Sequence, residues 1–194
     1  MDYRNDAALE FLATRRSHPP KLLSGPAPDR DEILRLLTLA ARAPDHGKLE
    51  PWRFLVLERA ALDRLQPILR QEVLADGQDG AAAEKAVAAF GSPVVVAVIY
   101  SPVASEKVPE WEQMLSTGAV CLGLVNAALA SGWGAAWLTG FAALSHGFGQ
   151  AHLGLSADER VAGLIHIGQR GETPPERPRP DIAAKTSWLT DCAQ

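Results

Sequence analysis

Pro93-Val94-Val95-Val96-Ala97-Val98-Ile99-Tyr100 is the stretch on which the fold turns. A strand with one wet face alternates apolar and polar residues, whereas this run is apolar throughout and rich in β-branching. It predicts a central strand covered on both faces. Working outward, Arg53 to Glu58 reads as a second strand, followed by a helix from Arg59 to about Ala75. Gly77 to Gly80 makes a flexible break before a helix over Ala81 to Phe90. On the other side, a long helix runs from about Pro109 to Ala130 and is stopped by Gly132 and Gly134. A short strand over Ala135 to Thr139, a short helix over Ser145 to Leu153 and a strand from Arg160 to Gly168 follow. Nearer the N-terminus, Asp6 to Arg15 reads as a helix with Leu9, Phe11 and Leu12 on its buried side, ended before Pro19-Pro20. Asp29, with Glu32 three residues on, caps another helix in which Ile33, Leu36, Leu37 and Ala40 recur at helical spacing, stopping by Pro44. Three or four strands with five or six helices give a mixed α+β sandwich, one sheet covered on both sides. Neither a repeat nor a linker divides the chain, so residues 1–194 are expected to form one domain. An extended, proline-rich basic arm leaves it from about residue 171.

Composition narrows the function classes. With 19 basic and 23 acidic residues the chain carries a net charge of −4, which gives no electrostatic reason to expect nucleic acid. Cys121 and Cys192 match no metal or redox spacing, and Met1 to Asp6 lacks a basic-then-apolar leader. The expectation is a cytoplasmic protein with two reduced thiols. From Gln113 to Ala157 there is no Asp, Glu, Lys or Arg. Met114 to Ser131 approaches the length of a membrane span, yet it contains Ser116, Thr117, Gly118, Gly123 and Asn126 and has no basic flank. A helix buried on nearly all sides fits better. In a chain this small, that implies a partner subunit covering part of it.

Two clusters carry the chemistry. Arg15-Arg16-Ser17 closes the first helix, and Arg42-Ala43-Pro44-Asp45-His46 closes the second and leads to Pro51-Trp52. Guanidinium forks, a hydroxyl and free backbone amides make a good grip for a phosphate, although arginines at a helix C-terminus also suit the helix dipole on their own. Arg177 and Arg179, held apart by prolines, form a second stiff basic element that would serve the same phosphate if the two meet. Asp45-His46 has no further His or Cys at ligand spacing, so no metal is expected. His166, inside a strand, reads as a packed core imidazole. Gly132-Trp133-Gly134 lies between a helix and a strand, the reverse of a dinucleotide-binding turn. Neither a P-loop nor a G-x-S-x-G elbow is present.

In order and spacing, these motifs resemble the FMN-dependent nitroreductase-like oxidoreductases, in particular a compact bacterial branch of NAD(P)H nitroreductases. Arg15-Arg16-Ser17 and Arg42 to His46 carry the resemblance. So do Glu50-Pro51-Trp52-Arg53-Phe54, Lys107 to Glu112, Gly132 to Gly140 and Ile165-His166-Ile167-Gly168. The resemblance implies a mostly antiparallel sheet and a homodimer joined through its long helices, with FMN in a cleft built by both subunits. It places Arg15, Arg16 and Ser17 on the FMN phosphate or ribityl chain. Arg42 and His46 would reach the flavin from the neighbouring loop, and Trp137, Leu138 and Thr139 would run along the ring. Arg177 and Arg179 fall where basic phosphate ligands occur, and Ala127 marks a nicotinamide-side contact. It further implies flavin-based chemistry with no protein nucleophile, passing hydride from NAD(P)H to a nitroaromatic, quinone or enone. Gly47-Lys48-Leu49 departs from the Ser/Asn-rich loop of well-known nitroaromatic reducers, which leaves the acceptor open. The alternative is a flavin-binding sensor or cofactor store with little turnover.

Overall fold

The computed structural model describes residues 3–189. Its elements are α1 (Asp6–Thr14), β1 (Leu23–Ser24), α2 (Arg30–Ala40), β2 (Trp52–Glu58), α3 (Arg59–Ala75) and α4 (Gly80–Ala89). Then come β3 (Val94–Tyr100), α5 (Glu110–Ala130), β4 (Gly134–Leu138), α6 (Phe141–Leu144), α7 (His146–Leu153) and β5 (Arg160–Arg170). All strand pairings are antiparallel. β3 lies between β2 and β5, β4 lies along β5, and the two-residue β1 pairs with the far end of β5.

Every residue of β3 is buried, because helices cover both sides of the sheet. Val94, Val96 and Val98 point to one layer, where Ile33, Leu36 and Ala40 of α2 meet Val120, Leu124 and Ala128 of α5. Val95, Ala97 and Ile99 point to the other, against Leu62, Leu65 and Leu69 of α3, Ala83 of α4 and Phe148 of α7. The period-two alternation of the strand thus builds two cores from one apolar run. Gly123 brings α5 against α2: a Cβ there would lie 3.1 Å from the Ala40 carbonyl oxygen.

Buried polar groups on α5 tie down the flanking loops. The Gln113 side chain accepts from the Val103 N–H at 2.9 Å and donates to the carbonyls of Val103 (2.9 Å) and Val108 (3.1 Å). Ser116 and Thr117 donate to the Pro44 and Pro51 carbonyls, which pins both ends of the loop after α2. Each is a satisfied buried donor, which explains why polar residues interrupt this otherwise apolar helix.

Three expectations need amendment. α1 buries none of its residues, and Leu9 and Leu12 are exposed. Phe11 packs partly buried against the core of α2, α5 and the sheet, while Leu9 and Leu12 face outward among the described residues. β1 and α6 are additional, both too short to leave a periodic signal. β4 ends at Leu138, so Thr139 lies in the turn before Gly140, whose φ of 75° closes the strand. His166 is fully buried as expected, held near neutral form by burial that lowers its pKa to about 4. Cys192 lies outside the described residues.

Candidate anion-binding cleft

Helix α1 closes at Arg15, whose N–H still donates to the Phe11 carbonyl at 2.8 Å while its ψ of 138° turns the chain out of the helix, and Pro19 keeps helical backbone from resuming at His18. The chain then runs beside β4, where the His18 N–H donates to the Ala135 carbonyl at 2.9 Å. Arg15, Arg16 and Ser17 are therefore held between the end of α1, through the Arg15 N–H, and the edge of β4, through the His18 N–H. Strand parity has a second effect. Ala135 directs its carbonyl away from β5, so Trp137, two residues on, turns its N–H and C=O to the same open edge.

These residues line one cleft of about 900 Å³, together with Lys21, Ala136, Trp137, Leu138 and the proline-rich arm from Glu172 to Pro180. Arg177 and Arg179 are among the lining residues. The two basic elements separated by 160 residues of sequence do meet: the Arg16 guanidinium donates to Glu176 Oε1 at 2.7 Å and to the Pro175 carbonyl. Arg179 approaches the same Oε1 at 2.7 Å. Arg15 bonds the Ser17 hydroxyl at 3.3 Å, while its Nε is buried with no partner. Burial and the neighbouring charges of Arg179 and Arg16 lower the Arg15 pKa. A crowd of guanidinium groups with an orphaned donor is costly unless an anion completes it. Near its base, His18 is buried, and its pKa is lowered by burial and by Arg170.

The Trp137 ring crosses from β4 over β5 toward α5. Its Nε1 donates to the Ala162 carbonyl at 3.3 Å, and Gly163 and Gly118 leave the room it occupies. Trp137 is partly exposed beside the cleft and is a flat apolar wall at its inner end.

The second cluster lies elsewhere. Arg42 is exposed at the end of α2, and His46 Nδ1 pairs with Glu112 Oε2 at 2.8 Å at the start of α5. The intervening loop is strained, with φ of 53° at Lys48 and 50° at Glu50, and the Asp45 carboxylate holds it by accepting from the Glu50 N–H at 2.7 Å. Neither Arg42 nor His46 lines the cleft within one protomer, and Thr139 is not among its lining residues. Ala127 packs in the α2–α5 core, so within the protomer its methyl group serves packing. Sequence reasoning assigned no role to Lys21 or Glu172, which also line the cleft, or to Glu176, which pairs with two of its arginines. Their nearness to the arginines depends on the path of the arm, which no periodicity encodes.

A second cleft, of about 1000 Å³, opens between α2 and the ends of β2 and β3, walled by Ile33, Leu34, Leu37, Val56 and Val94. Its charged groups are already paired: Arg30 with Glu58 at 3.0 Å, and Arg59 with Asp63 and the Phe90 and Ser92 carbonyls. Among the described residues no group of three His, Cys, Asp or Glu side chains is arranged to hold a metal. α5 is long and apolar enough to cross a membrane by length and composition, and half of it is buried inside the fold.

Comparison with known proteins places this architecture. Residues 12–169 match the model of the nitroreductase family. The protein named "Putative NAD(P)H nitroreductase YdjA" from Escherichia coli K12 is 34% identical over 162 residues, covering 83% of this chain and 87% of that one. A nitroreductase-like family protein from Bacillus cereus superposes with a TM-score of 0.76 at 22% identity, covering 97% and 98% of the two chains. A nitroreductase with bound FMN from Bacteroides fragilis superposes at 0.71 with 18% identity, covering 94% and 98%. The matched segment runs from the end of α1 through β5 and contains the arginine cluster, both core layers and the β4 edge. The chain belongs to the nitroreductase family of oxidoreductases.

Proposed function

We propose that the cleft holds the phosphate end of FMN and that the protein relays hydride from NAD(P)H to a small organic acceptor such as a nitroaromatic, quinone or enone. The observation that carries this reading is the convergence of Arg15, Arg16, Ser17, Arg177 and Arg179 on one cleft, with the orphaned Arg15 Nε among them. A phosphate monoester supplies the acceptors that this donor set lacks. The open β4 edge at Trp137 offers backbone groups to a planar heterocycle, with Leu138 beside it in the lining, and the Trp137 indole offers an apolar wall. Bound flavin would accept and donate hydride. The chain's own part is to fix the ring and to place donors against the charge that reduction adds. The Bacteroides fragilis relative with FMN and the YdjA name support flavin and NAD(P)H respectively.

The same reading includes a homodimer. α5 exposes Trp111, Leu115 and Leu122 on one stripe, with Gly118 between them, directly beside Trp137. A second copy laid on that stripe would bury it and bring Arg42 and His46 of one protomer toward the cleft of the other.

Arg16→Ala tests the cofactor assignment. Loss of a charge-assisted contact at a half-buried site should weaken FMN binding about 10- to 100-fold, measured by quenching of flavin fluorescence. Protein that purifies with full flavin occupancy despite the substitution removes Arg16 from the site.

A further inference from the structure

Glu176 bridges two arginines that line the cleft. Its Oε1 accepts from Arg16 and approaches Arg179, each at 2.7 Å, while the neighbouring Pro175 carbonyl takes the other Arg16 nitrogen. The Arg16 side chain is only 13% exposed, so its donors face the cleft and little else. Glu176 itself is 62% exposed and sits on an arm with no regular secondary structure from Glu172 to Pro180. The carboxylate is therefore held by Arg16 and by Arg179 while most of its side chain faces solvent. By contrast Glu172, on the same arm and in the same cleft, has no ion pair among the described residues.

We propose that Glu176 is an internal stand-in for the phosphoryl group: it neutralises Arg16 and Arg179 while the cleft is empty and is displaced when a phosphate binds, releasing the arm at that point. The ligand chemistry is a phosphate monoester, whether free phosphate or the terminus of FMN, and the FMN case rests on the reading given above. Prolines at 174, 175, 178 and 180 limit the arm's backbone freedom, so it moves as a stiff strap rather than collapsing. Occupancy of the seat by Glu176 lowers the apparent affinity for any external anion by the fraction of time the seat is taken.

The test measures inorganic phosphate binding by calorimetry in the full chain, comparing wild type with Glu176→Gln and Glu172→Gln. Both substitutions remove one negative charge from the arm, but only the first removes the stand-in. Glu176→Gln should bind phosphate about fivefold or more tightly than wild type, with Glu172→Gln within about twofold. Equal affinity in Glu176→Gln and wild type, or an equal gain in both variants, overturns the proposal. FMN and riboflavin titrations then separate the two readings. If phosphate shows the difference but FMN binds no better than riboflavin, the flavin assignment falls and the stand-in stands. If FMN binds well and is indifferent to residue 176, the stand-in falls and the flavin assignment survives.

Discussion

Glu159 shows how much one carboxylate can be asked to do. It accepts from Arg53 Nε at 2.6 Å and Nη2 at 2.7 Å, and from the Ser156 N–H at 2.9 Å, with its side chain 8% exposed. These bonds, the Arg53 fork first, hold its pKa down at about 2 against a usual 4.5. A depressed carboxylate stabilises the fold above its unfolded pKa, and that contribution disappears as pH falls from about 4.5 to about 2. Glu159→Gln should cost about 2 kcal/mol at pH 7, because a half-exposed Arg53 loses a bidentate partner. Urea unfolding of both proteins should show this gap closing in acid; a gap that persists at pH 2 excludes the ionic origin. The sequence carried no trace of this pair, whose members stand 106 residues apart. The arginines at 15 and 16 were legible by contrast, since adjacent cations and a hydroxyl ahead of two prolines state their chemistry locally.

Among elements, the crossing of β4 and β5 sets the shape of the cleft. A Cβ at Gly163 would lie 2.2 Å from Trp137 Nε1, so β5 has no side chain where the indole lies. Gly163→Ala should expel the ring and destabilise the fold by about 1–3 kcal/mol. In a Trp137→Phe background the penalty should shrink, and equal penalties in both backgrounds would mean that the ring is not what the glycine accommodates. β3 was the most readable element because an unbroken β-branched run has few other uses. α5 was readable because its length and lack of charge leave little choice. α1 was only partly legible for a physical reason: helical period identifies an apolar face but not what covers it, and while Phe11 packs on the core, Leu9 and Leu12 are exposed among the described residues.

The molecule as a whole has a sheet enclosed on both sides and one helix that is apolar on its inner and outer faces alike. Under the dimer reading, Leu115→Glu combined with Leu122→Glu should give a folded monomer at concentrations where wild type sediments as a dimer. Flavin occupancy should fall with it, because under that reading Arg42 and His46 of the second copy would be withdrawn from the cleft. A variant that stays dimeric moves the interface off α5. A monomer that retains its full complement of flavin shows instead that one protomer suffices. The antiparallel sheet and the nitroreductase resemblance reached the right architecture from sequence. The meeting of the arm with Arg16 could not be read in advance, since it depends on a proline-rich path rather than on a pattern.

The charge distribution has a kinetic consequence. The cleft is lined by five cationic side chains and one acidic one, in a chain whose total is −4. The remaining surface is therefore more negative than the total suggests, and the mouth of the cleft is an electropositive window in it. A phosphorylated molecule diffusing nearby is repelled over most of the exterior and drawn in at that opening, so encounter is steered before any contact forms and is damped as ionic strength rises.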